Sequence, residues 1–216
     1  MEATLYSYFR SSCSWRVRIA LNLKKVKYAY KAVNLLKGEQ LGDDFLNVNP
    51  MGELPALEID GHTLTQSLPI IEYLDETRPE NPLLPRDDPF KRAEVRRLSQ
   101  IIASGIQPVQ NLRVLKKHGL EHKVEWGQWV INNGFKALER ELKKTAGKYS
   151  FGDTVTMVDL CLVPQVFNAE RFKVDMSQYP TIQRVAAALG ELPEFEAAMP
   201  TKQPDCPEEL RLDASK

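Results

Sequence analysis

The first third of this chain alternates between strand and helix patterns, and this alternation limits the folds that it can adopt. Residues 4–9 have the composition of a strand, residues 15–23 have apolar positions at helical spacing, and residues 28–34 resemble a second strand. Two strands that are joined by one helix pair in parallel through a right-handed crossover. The sequence therefore predicts a βαβ unit at the start of the chain.

A hairpin and a closing helix are predicted next. The strand patterns at residues 56–59 and 62–65 flank Asp60 and Gly61, a pair suited to the positive φ angles of a type I′ turn. After Ser67, apolar residues recur at helical spacing, and a proline lies in the first turn, where its missing N–H costs nothing. The predicted order is β-α-β-β-β-α, with a polar loop between the second and third strands.

A linker and a helical region follow. Four prolines exclude a regular element between residues 77 and 89. Beyond them, one apolar stripe from Leu98 to Leu115 predicts a first long helix, and a second stripe from Val124 to Leu142 predicts another. We expect an α/β domain over residues 1–80, followed by an all-helical domain over residues 90–216.

In the last third of the chain, the residue types predict where a helix begins. Thr156 and Asp159 resemble a capping box ahead of a strongly apolar segment, which predicts a central, buried helix. We expect a last helix over residues 181–189. The polar tail over residues 203–216 is expected either to wrap the fold in an extended form or to be disordered.

Composition limits the partners of the protein. The chain has 216 residues, 43% of them hydrophobic, and 29 basic residues balance 29 acidic ones. No basic run is interleaved with aromatic residues, so nucleic acid and anionic membrane are poor candidates and a small substrate is favoured. No apolar stretch approaches the roughly 20 residues that span a bilayer, and no signal-peptide pattern is present. We expect a cytoplasmic protein.

Neither the cysteines nor the histidines form a pattern that is typical of a metal site. Cys13, Cys161 and Cys206 are odd in number and widely spaced, which argues against a disulfide framework or a zinc site. The three histidines are also scattered along the chain. We therefore expect no metal, and only Cys13 lies in a context that suggests chemistry.

The residues from Ser11 to Arg16 place three hydroxyls and a thiol at a strand-to-helix junction. The first turn of a helix has unpaired N–H groups and the positive end of the helix dipole, so it stabilises a thiolate or a carboxylate. The same residues also fit an ordinary serine N-cap beside a buried cysteine. The residues by themselves leave both interpretations open.

Five segments, in order along nearly the whole chain, resemble the zeta class of cytosolic glutathione transferases, whose members are maleylacetoacetate isomerases. The segments are LYSYFRSSCSWRVRIAL (5–21), NPMGELPAL (49–57), TQSLPIIEYL (65–74), ASGIQPVQNL (103–112) and DLCLVPQVFNAERFKVD (159–175). The resemblance implies a thioredoxin-like N-terminal domain with a cis-proline at Pro55, an all-helical C-terminal domain and a homodimer.

The resemblance also implies an activity. The expected reaction is the glutathione-dependent isomerisation of maleylacetoacetate to fumarylacetoacetate, a step in tyrosine and phenylalanine catabolism, with transferase activity toward small electrophiles such as α-haloacids. Maleylpyruvate isomerisation and general detoxification are alternatives that use the same nucleophile. A glutathione-fold protein that binds without catalysis is an alternative of a different class, and the intact serine turn argues against it.

The resemblance assigns roles to residues of the first domain. Ser11 is the expected donor to the glutathione sulfur, Ser12 is the alternate donor, and Cys13 either faces the substrate or packs as a small residue. Leu54 is expected to pair with the cysteinyl backbone, and Ser67, with the residue before it, to hold the γ-glutamyl carboxylate. The implied glutathione contacts are Ser11, Ser12, Cys13, Ser14, Trp15, Arg16, Gln40, Leu54, Pro55, Gln66, Ser67, Gln107, Asn111, Leu112 and Arg113.

Three further expectations complete the candidate site. Arg171 is assigned to a substrate carboxylate by resemblance, although a solvated cation at a helix end would fit the dipole equally well. Arg16 is expected to brace the helical domain more than to bind a ligand. Tyr6 and Tyr8 lie where other classes place a tyrosine sulfur donor, but the serine turn makes the serine route the preferred one.

Overall fold

The computed structural model describes residues 2–211 and divides into two compact units. The first unit contains the residues up to Asn81 together with the segment that begins at Leu192, and the second contains Pro82–Glu191. The expected start of the helical domain lies near this boundary. The expectation that the helical domain continues to the end of the chain is wrong, because residues 192–211 belong to the first unit.

The first unit is built on a four-stranded mixed sheet of strand order β2-β1-β3-β4. Strand β1 pairs in parallel with β2 and antiparallel with β3, which pairs antiparallel with β4. These pairings confirm the crossover and the hairpin. The elements of the unit are β1 (Ala3–Ser7), α1 (Ser12–Leu23), β2 (Tyr28–Ala32), α2 (Asp43–Leu46), β3 (Ala56–Ile59), β4 (His62–Thr65) and α3 (Ser67–Thr77).

Three details of this unit test the predicted boundaries. The hairpin turn has φ angles of 53° at Asp60 and 82° at Gly61, which confirms the type I′ turn. The loop before β3 contains the one-turn helix α2, which the polar sequence of that loop did not predict. Helix α1 begins three residues before the predicted Trp15, because Ser11 rather than a later residue caps it.

A buried ion pair joins the ends of α1 and α3. The Nζ of Lys24 lies 2.6 Å from the Oδ1 of Asp75, and both side chains are buried. The same ammonium donates to the carbonyls of Glu80 and Asn81 at 2.8 and 3.0 Å. Because these bonds satisfy the three donors of the ammonium, they hold the chain firmly up to the boundary of the unit.

The second unit is helical, as predicted, but its first helix is interrupted. A π-helical turn over Ile101–Ile106 and a non-helical stretch separate α4 from α5, so the prediction of one long helix is wrong. Pro108 cannot donate a helical hydrogen bond, and Asn111 is extended and caps α5. The elements are α4 (Pro89–Gln100), α5 (Leu112–His118), α6 (Lys123–Thr145), α7 (Met157–Arg171) and α8 (Pro180–Gly190).

Helix α7 begins at the predicted capping box. The Thr156 N–H donates to the Asp159 carboxylate at 2.7 Å, and the N–H of Ser150 donates to the other carboxylate oxygen at 2.9 Å. Asp159 is fully buried, and burial raises its pKa although these hydrogen bonds oppose the shift. Cys161 and Leu162 are also fully buried, which confirms that α7 is a central helix of its unit.

The C-terminal segment returns to the first unit. A short helix, α9 (Pro193–Ala197), follows α8, so the prediction that α8 is the last helix is wrong. Disorder is also excluded for residues 203–211, in which Cys206 is 2% exposed and belongs to the same apolar cluster as Tyr8 and Phe9. Residues 212–216 of the predicted tail lie outside the described residues. Within residues 2–211, no helix has the length and hydropathy needed to cross a bilayer.

Candidate active site

The turn from Ser11 to Ser14, called the serine turn below, begins helix α1. Ser11 is the N-cap, with φ −68° and ψ 113°, and its Oγ accepts a hydrogen bond from the Ser14 N–H at 3.2 Å. A hydroxyl that accepts in this way still has its own proton to donate. The N-cap role and the sulfur-donor role of Ser11 are therefore compatible.

Burial separates the members of the serine turn. Ser11 and Cys13 are half-buried, whereas Ser12 is 7% exposed and Ser14 is fully buried. Trp15, the next residue, is 3% exposed. A ligand at the start of the helix therefore has more direct access to Ser11 and Cys13 than to the residues between and after them, which favours Ser11 over Ser12 as the donor.

The peptide bond between Leu54 and Pro55 is cis, as predicted. The loop before it is braced by Asn49, whose Nδ2 donates to the Glu53 carbonyl at 2.6 Å and whose Oδ1 accepts from the Met51 N–H at 3.1 Å. Within residues 2–211, the backbone N–H and C=O of Leu54 have no hydrogen-bond partner. Sequence reasoning missed Asn49. Asparagine side chains often form hydrogen bonds with the backbone of the loop that contains them, as this one does.

The start of helix α3 has an unusual backbone conformation. Gln66 is its N-cap residue, with φ 68° and ψ 123°, and its side chain is exposed. A positive φ at a non-glycine residue costs of order 1–3 kcal/mol and is concentrated at functional sites. Ser67 is the first helical residue and is 7% exposed. Ser67 thus lies in the first turn of the helix, where its N–H and hydroxyl are at the helix N-terminus, and Gln66 occupies the N-cap position.

Arg16 lies beneath Ser67. Its guanidinium is 2% exposed, and its Nη1 donates to the Ser67 Oγ at 3.2 Å. The Nε and Nη2 of Arg16 are buried without a hydrogen-bond partner in the described part of the chain. A buried cation without an anion is destabilising, so the site electrostatically favours an anionic ligand at Ser67.

The two tyrosines of the first strand region have other contacts. The hydroxyl of Tyr6 donates to the Glu58 Oε1 at 3.1 Å, and Tyr6 and Tyr8 are 6% and 5% exposed within the apolar cluster. These contacts agree with the preference for serine. Gln40, in the loop before α2, is half-buried, and its Oε1 is buried without a hydrogen-bond partner among residues 2–211.

In the second unit, the candidate glutathione contacts lie on the stretch that interrupts the first helix. Gln107 follows the π-helical turn, and Asn111 caps α5 by accepting from the Arg113 N–H at 3.3 Å. A buried amide pair joins this stretch to α7, because the Nε2 of Gln110 donates to the Oε1 of Gln165 at 3.3 Å. Sequence reasoning missed this pair.

Arg171 is the last residue of α7 and is exposed. Its Nη1 donates to the Oδ1 of Asn168, a residue 7% exposed and one turn earlier, at 3.4 Å. This contact ties the guanidinium to the preceding turn of its own helix. The position is also the helix end that an ordinary dipole-stabilising cation would occupy.

Comparison with known proteins decides the family. The glutathione S-transferase N-terminal domain model matches residues 10–77, and the glutathione S-transferase C-terminal domain model matches residues 116–199. The chain belongs to the glutathione S-transferase family. The maleylacetoacetate isomerase of Mus musculus is 59% identical over 209 residues, which are 96% of this chain and 96% of that protein.

Solved structures place this glutathione S-transferase in the zeta class. A holo maleyl pyruvate isomerase, described as a bacterial zeta-class glutathione S-transferase, has a TM-score of 0.91 and 44% identity, covering 94% of this chain and all of that one. The maleylacetoacetate isomerase of Methylobacterium extorquens AM1, solved with malonate and glutathione, has a TM-score of 0.89 and 38% identity, covering 94% of this chain and 99% of that chain.

The family match does not include every part of the described transferase. The C-terminal family model ends at residue 199, so the matches leave out residues 200–211, which belong to the first unit. Between residues 2 and 211, no three side chains of the metal-ligating types lie close enough to hold a metal ion. Cys13, Cys161 and Cys206 form no disulfide within the described residues.

Proposed function

We propose that this zeta-class transferase isomerises maleylacetoacetate to fumarylacetoacetate with glutathione as its cofactor. The observation that carries the proposal is the Ser11 hydroxyl, which is accessible, caps α1 and has a proton to donate. The 59% identity to a maleylacetoacetate isomerase over nearly the full length of both proteins supports the choice of substrate.

The unpaired polar groups of the first unit fit glutathione. The backbone of Leu54 offers one donor and one acceptor to the cysteinyl residue, beside cis-Pro55. Ser67 and the exposed Gln66 would hold the γ-glutamyl carboxylate, with the charge of Arg16 beneath them. The buried Oε1 of Gln40 would accept from the glycyl end of the peptide.

Bound glutathione supplies a thiolate that adds to the cis double bond, so that rotation and loss of the thiolate give the trans isomer. Ser11 donates a hydrogen bond to the sulfur, and the N-terminus of α1 adds a positive potential. Both effects lower the pKa of the bound thiol from its usual value of about 8.5 toward neutral pH. Ser12 is the alternate donor, and Ser14 and Trp15 support the turn from the buried side.

The remaining candidates are assigned to glutathione and substrate as follows. In the second unit, Gln107, Asn111, Leu112 and Arg113 are proposed as further glutathione contacts, and Arg171 as the partner of a substrate carboxylate. The malonate in the Methylobacterium relative supports a dicarboxylate substrate. Cys13 is half-buried in the serine turn, which supports a position facing the substrate.

The decisive experiment is a parallel assay of the purified protein with maleylacetoacetate and maleylpyruvate, with and without glutathione. We expect glutathione-dependent turnover of maleylacetoacetate with the larger kcat/KM. Preference for maleylpyruvate would favour the second candidate, which is supported by the TM-score of 0.91 to a maleyl pyruvate isomerase. Glutathione binding without turnover of either compound or of an α-haloacid would instead indicate a binding protein.

Localisation, assembly and side substrates complete the proposal. The protein is proposed to be a cytoplasmic homodimer, as its resemblance to the cytosolic glutathione transferases implies. Sedimentation at micromolar concentration tests the assembly, because a monomeric mass would contradict it. α-Haloacids are proposed as side substrates, since their turnover needs the same thiolate and no further catalytic group.

A further inference from the structure

The peptide turn that precedes Ser11 is held by hydrogen bonds on two sides. The Ser11 N–H donates to the Tyr8 carbonyl at 2.9 Å, which closes a tight turn over Phe9 and Arg10. Because this turn leads directly into the N-cap of α1, its position determines where the Ser11 hydroxyl lies. Any group that fixes the turn therefore also fixes the proposed sulfur donor.

On the inner side, the turn is held by Arg18 of helix α1. The Nη2 of Arg18 donates to the Phe9 carbonyl at 3.0 Å, and its Nη1 donates to the Tyr8 carbonyl at 3.4 Å and to the Ser7 Oγ at 3.2 Å. The Nε donates to the Ala198 carbonyl at 3.0 Å. Arg18 is fully buried, and burial lowers its pKa to about 10. This cation is held by carbonyl and hydroxyl oxygens.

On the outer side, the turn is held by Asp205 of the C-terminal segment. The Oδ2 of Asp205 accepts from the Phe9 N–H at 2.9 Å, and its Oδ1 accepts from the Tyr30 hydroxyl at 2.6 Å. Burial and this hydrogen bond both raise the pKa of Tyr30, so Tyr30 stays protonated and donates. The two oxygens of the Asp205 carboxylate thus accept from two different donors, the Phe9 N–H and the Tyr30 hydroxyl.

The segment that carries Asp205 is itself anchored. Arg211 donates to the Cys206 carbonyl at 3.0 Å and to the Pro204 carbonyl at 2.9 Å. Gln203, 5% exposed, donates to the Ala197 and Met199 carbonyls at 2.9 and 2.8 Å. An aspartate on such a segment presents a fixed acceptor and not a mobile one.

We propose that Asp205 is a positioning residue of the glutathione site, which holds the turn before Ser11 through the Phe9 N–H. The inference rests on the proposed role of Ser11 and extends the site to a segment that lies outside both matched family models. Asp205 does not touch glutathione in this proposal. It acts on the thiolate only through the placement of the serine turn.

Three substitutions separate this role from general stabilisation. Asp205→Ala removes both acceptors. Asp205→Asn keeps an acceptor for Phe9, and its amide can pair with a rotated Tyr30 hydroxyl, so it should rescue the site. Tyr30→Phe is the matched control, because it removes the 2.6 Å bond to Asp205 but leaves the bond to Phe9.

The main readout is the pKa of the bound glutathione thiol, measured from thiolate ultraviolet absorbance against pH. In Asp205→Ala we expect this pKa to rise by about one unit, because the sulfur donor is misplaced. The kcat should fall by about tenfold, because the sulfur donor is displaced, while the KM for glutathione should stay within about threefold, because Asp205 does not touch the tripeptide. Asp205→Asn and Tyr30→Phe should both stay within about twofold of the wild type in kcat.

The second readout needs no glutathione. Amide hydrogen exchange at Phe9 should be slow in the wild type and in Asp205→Asn, and fast in Asp205→Ala, whereas exchange in helix α3 should be unchanged. If Asp205→Ala does not fold, Asp205→Ser replaces it, because its side chain is too short to reach Phe9.

Two results would overturn the inference. One is a lower melting temperature in the Ala and Ser variants with an unchanged bound-thiol pKa, which would make Asp205 a structural residue only. The other is rapid Phe9 exchange in the wild type, which would mean that the bond to Asp205 is not maintained. A wild type that binds no glutathione by calorimetry would refute the proposed function instead, while the exchange measurement would still test the hydrogen bond.

Discussion

Arg16 and Ser67 form a hydrogen bond of 3.2 Å between a buried guanidinium and a hydroxyl at the start of α3. Arg18, two residues later in the same helix, donates to four oxygens, whereas Arg16 donates to one and leaves its Nε and Nη2 without a partner in the described chain. The two arginines are 2% and 0% exposed but differ in how many oxygens accept from them. This difference supports the proposed role of Arg16 in binding glutathione, whereas Arg18 has its partners within the fold.

Replacing Arg16 should therefore weaken binding without weakening the fold. In Arg16→Met, the KM for glutathione should rise by about 10- to 100-fold, because a charged partner of the γ-glutamyl carboxylate is lost. The ligand-free melting temperature should stay equal or rise, because an uncompensated buried cation has been removed. Thermal melts with and without glutathione measure both effects. Lys27→Met is the control, because it removes a cation at an exposed position just beyond α1. An equal loss of affinity for glutathione in this control would contradict the prediction.

Removing the Ser11 hydroxyl should affect turnover more than affinity. In Ser11→Ala, kcat should fall by about a hundredfold, the effect of losing one donor to a developing charge. Glutathione affinity should change by less than about threefold, since the tripeptide backbone is held elsewhere. Steady-state kinetics and calorimetry provide the two values. Ser12→Ala, at a residue 7% exposed, is the comparison, and a larger loss of kcat there would make Ser12 the donor.

The first unit was largely predictable because its signals are local. An Asp-Gly pair predicts its own turn, and the strand and helix patterns of residues 1–78 fix the topology through the crossover rule. The interruption of the first long helix was missed because the apolar stripe from Leu98 to Leu115 keeps its period across the π-helical turn. Pro108 and the capping residue Asn111 were the signals that could have located the break.

The supports of the site were not predictable, because they depend on contacts distant in sequence. Asp205 accepts a hydrogen bond from the Phe9 N–H, 196 residues earlier, and no pattern in the sequence of the tail predicts this bond. The bond between Arg16 and Ser67 spans 51 residues, and no local pattern in the sequence predicts it. Residue types at the serine turn indicated the chemistry, while the residues that hold the turn became visible only in the folded chain.

A glycine in helix α6 should be essential for the packing of the second unit. A Cβ added to Gly134 would overlap the Cγ1 and Cδ1 atoms of Ile106, the residue before Gln107. Gly134→Ala should therefore destabilise the protein by about 1–3 kcal/mol despite its better helix propensity. Urea unfolding measures the change. Gly190→Ala is the matched control, because nothing lies within 4 Å of its added Cβ, and equal stability of the two variants would show that Ile106 can move aside.

Cys13 should be the first cysteine to react with an alkylating agent. It is half-buried in the serine turn, whereas Cys161 is fully buried in α7 and Cys206 is 2% exposed. Burial also raises the pKa of Cys206, which lowers its thiolate fraction further. Limited treatment with iodoacetamide followed by peptide mapping should therefore find the label on Cys13, and bound glutathione should protect it.

The same cysteine should nevertheless be dispensable for catalysis, because glutathione supplies the sulfur that adds to the substrate. Cys13→Ala should retain isomerase activity, with an effect on KM for the substrate more than on kcat, and should resist inactivation by iodoacetamide. Cys161→Ala removes a thiol inside the most buried helix of the second unit and serves as the comparison for stability. Complete loss of turnover in Cys13→Ala, in a variant that still binds glutathione, would assign the catalytic sulfur to the protein and not to the cofactor.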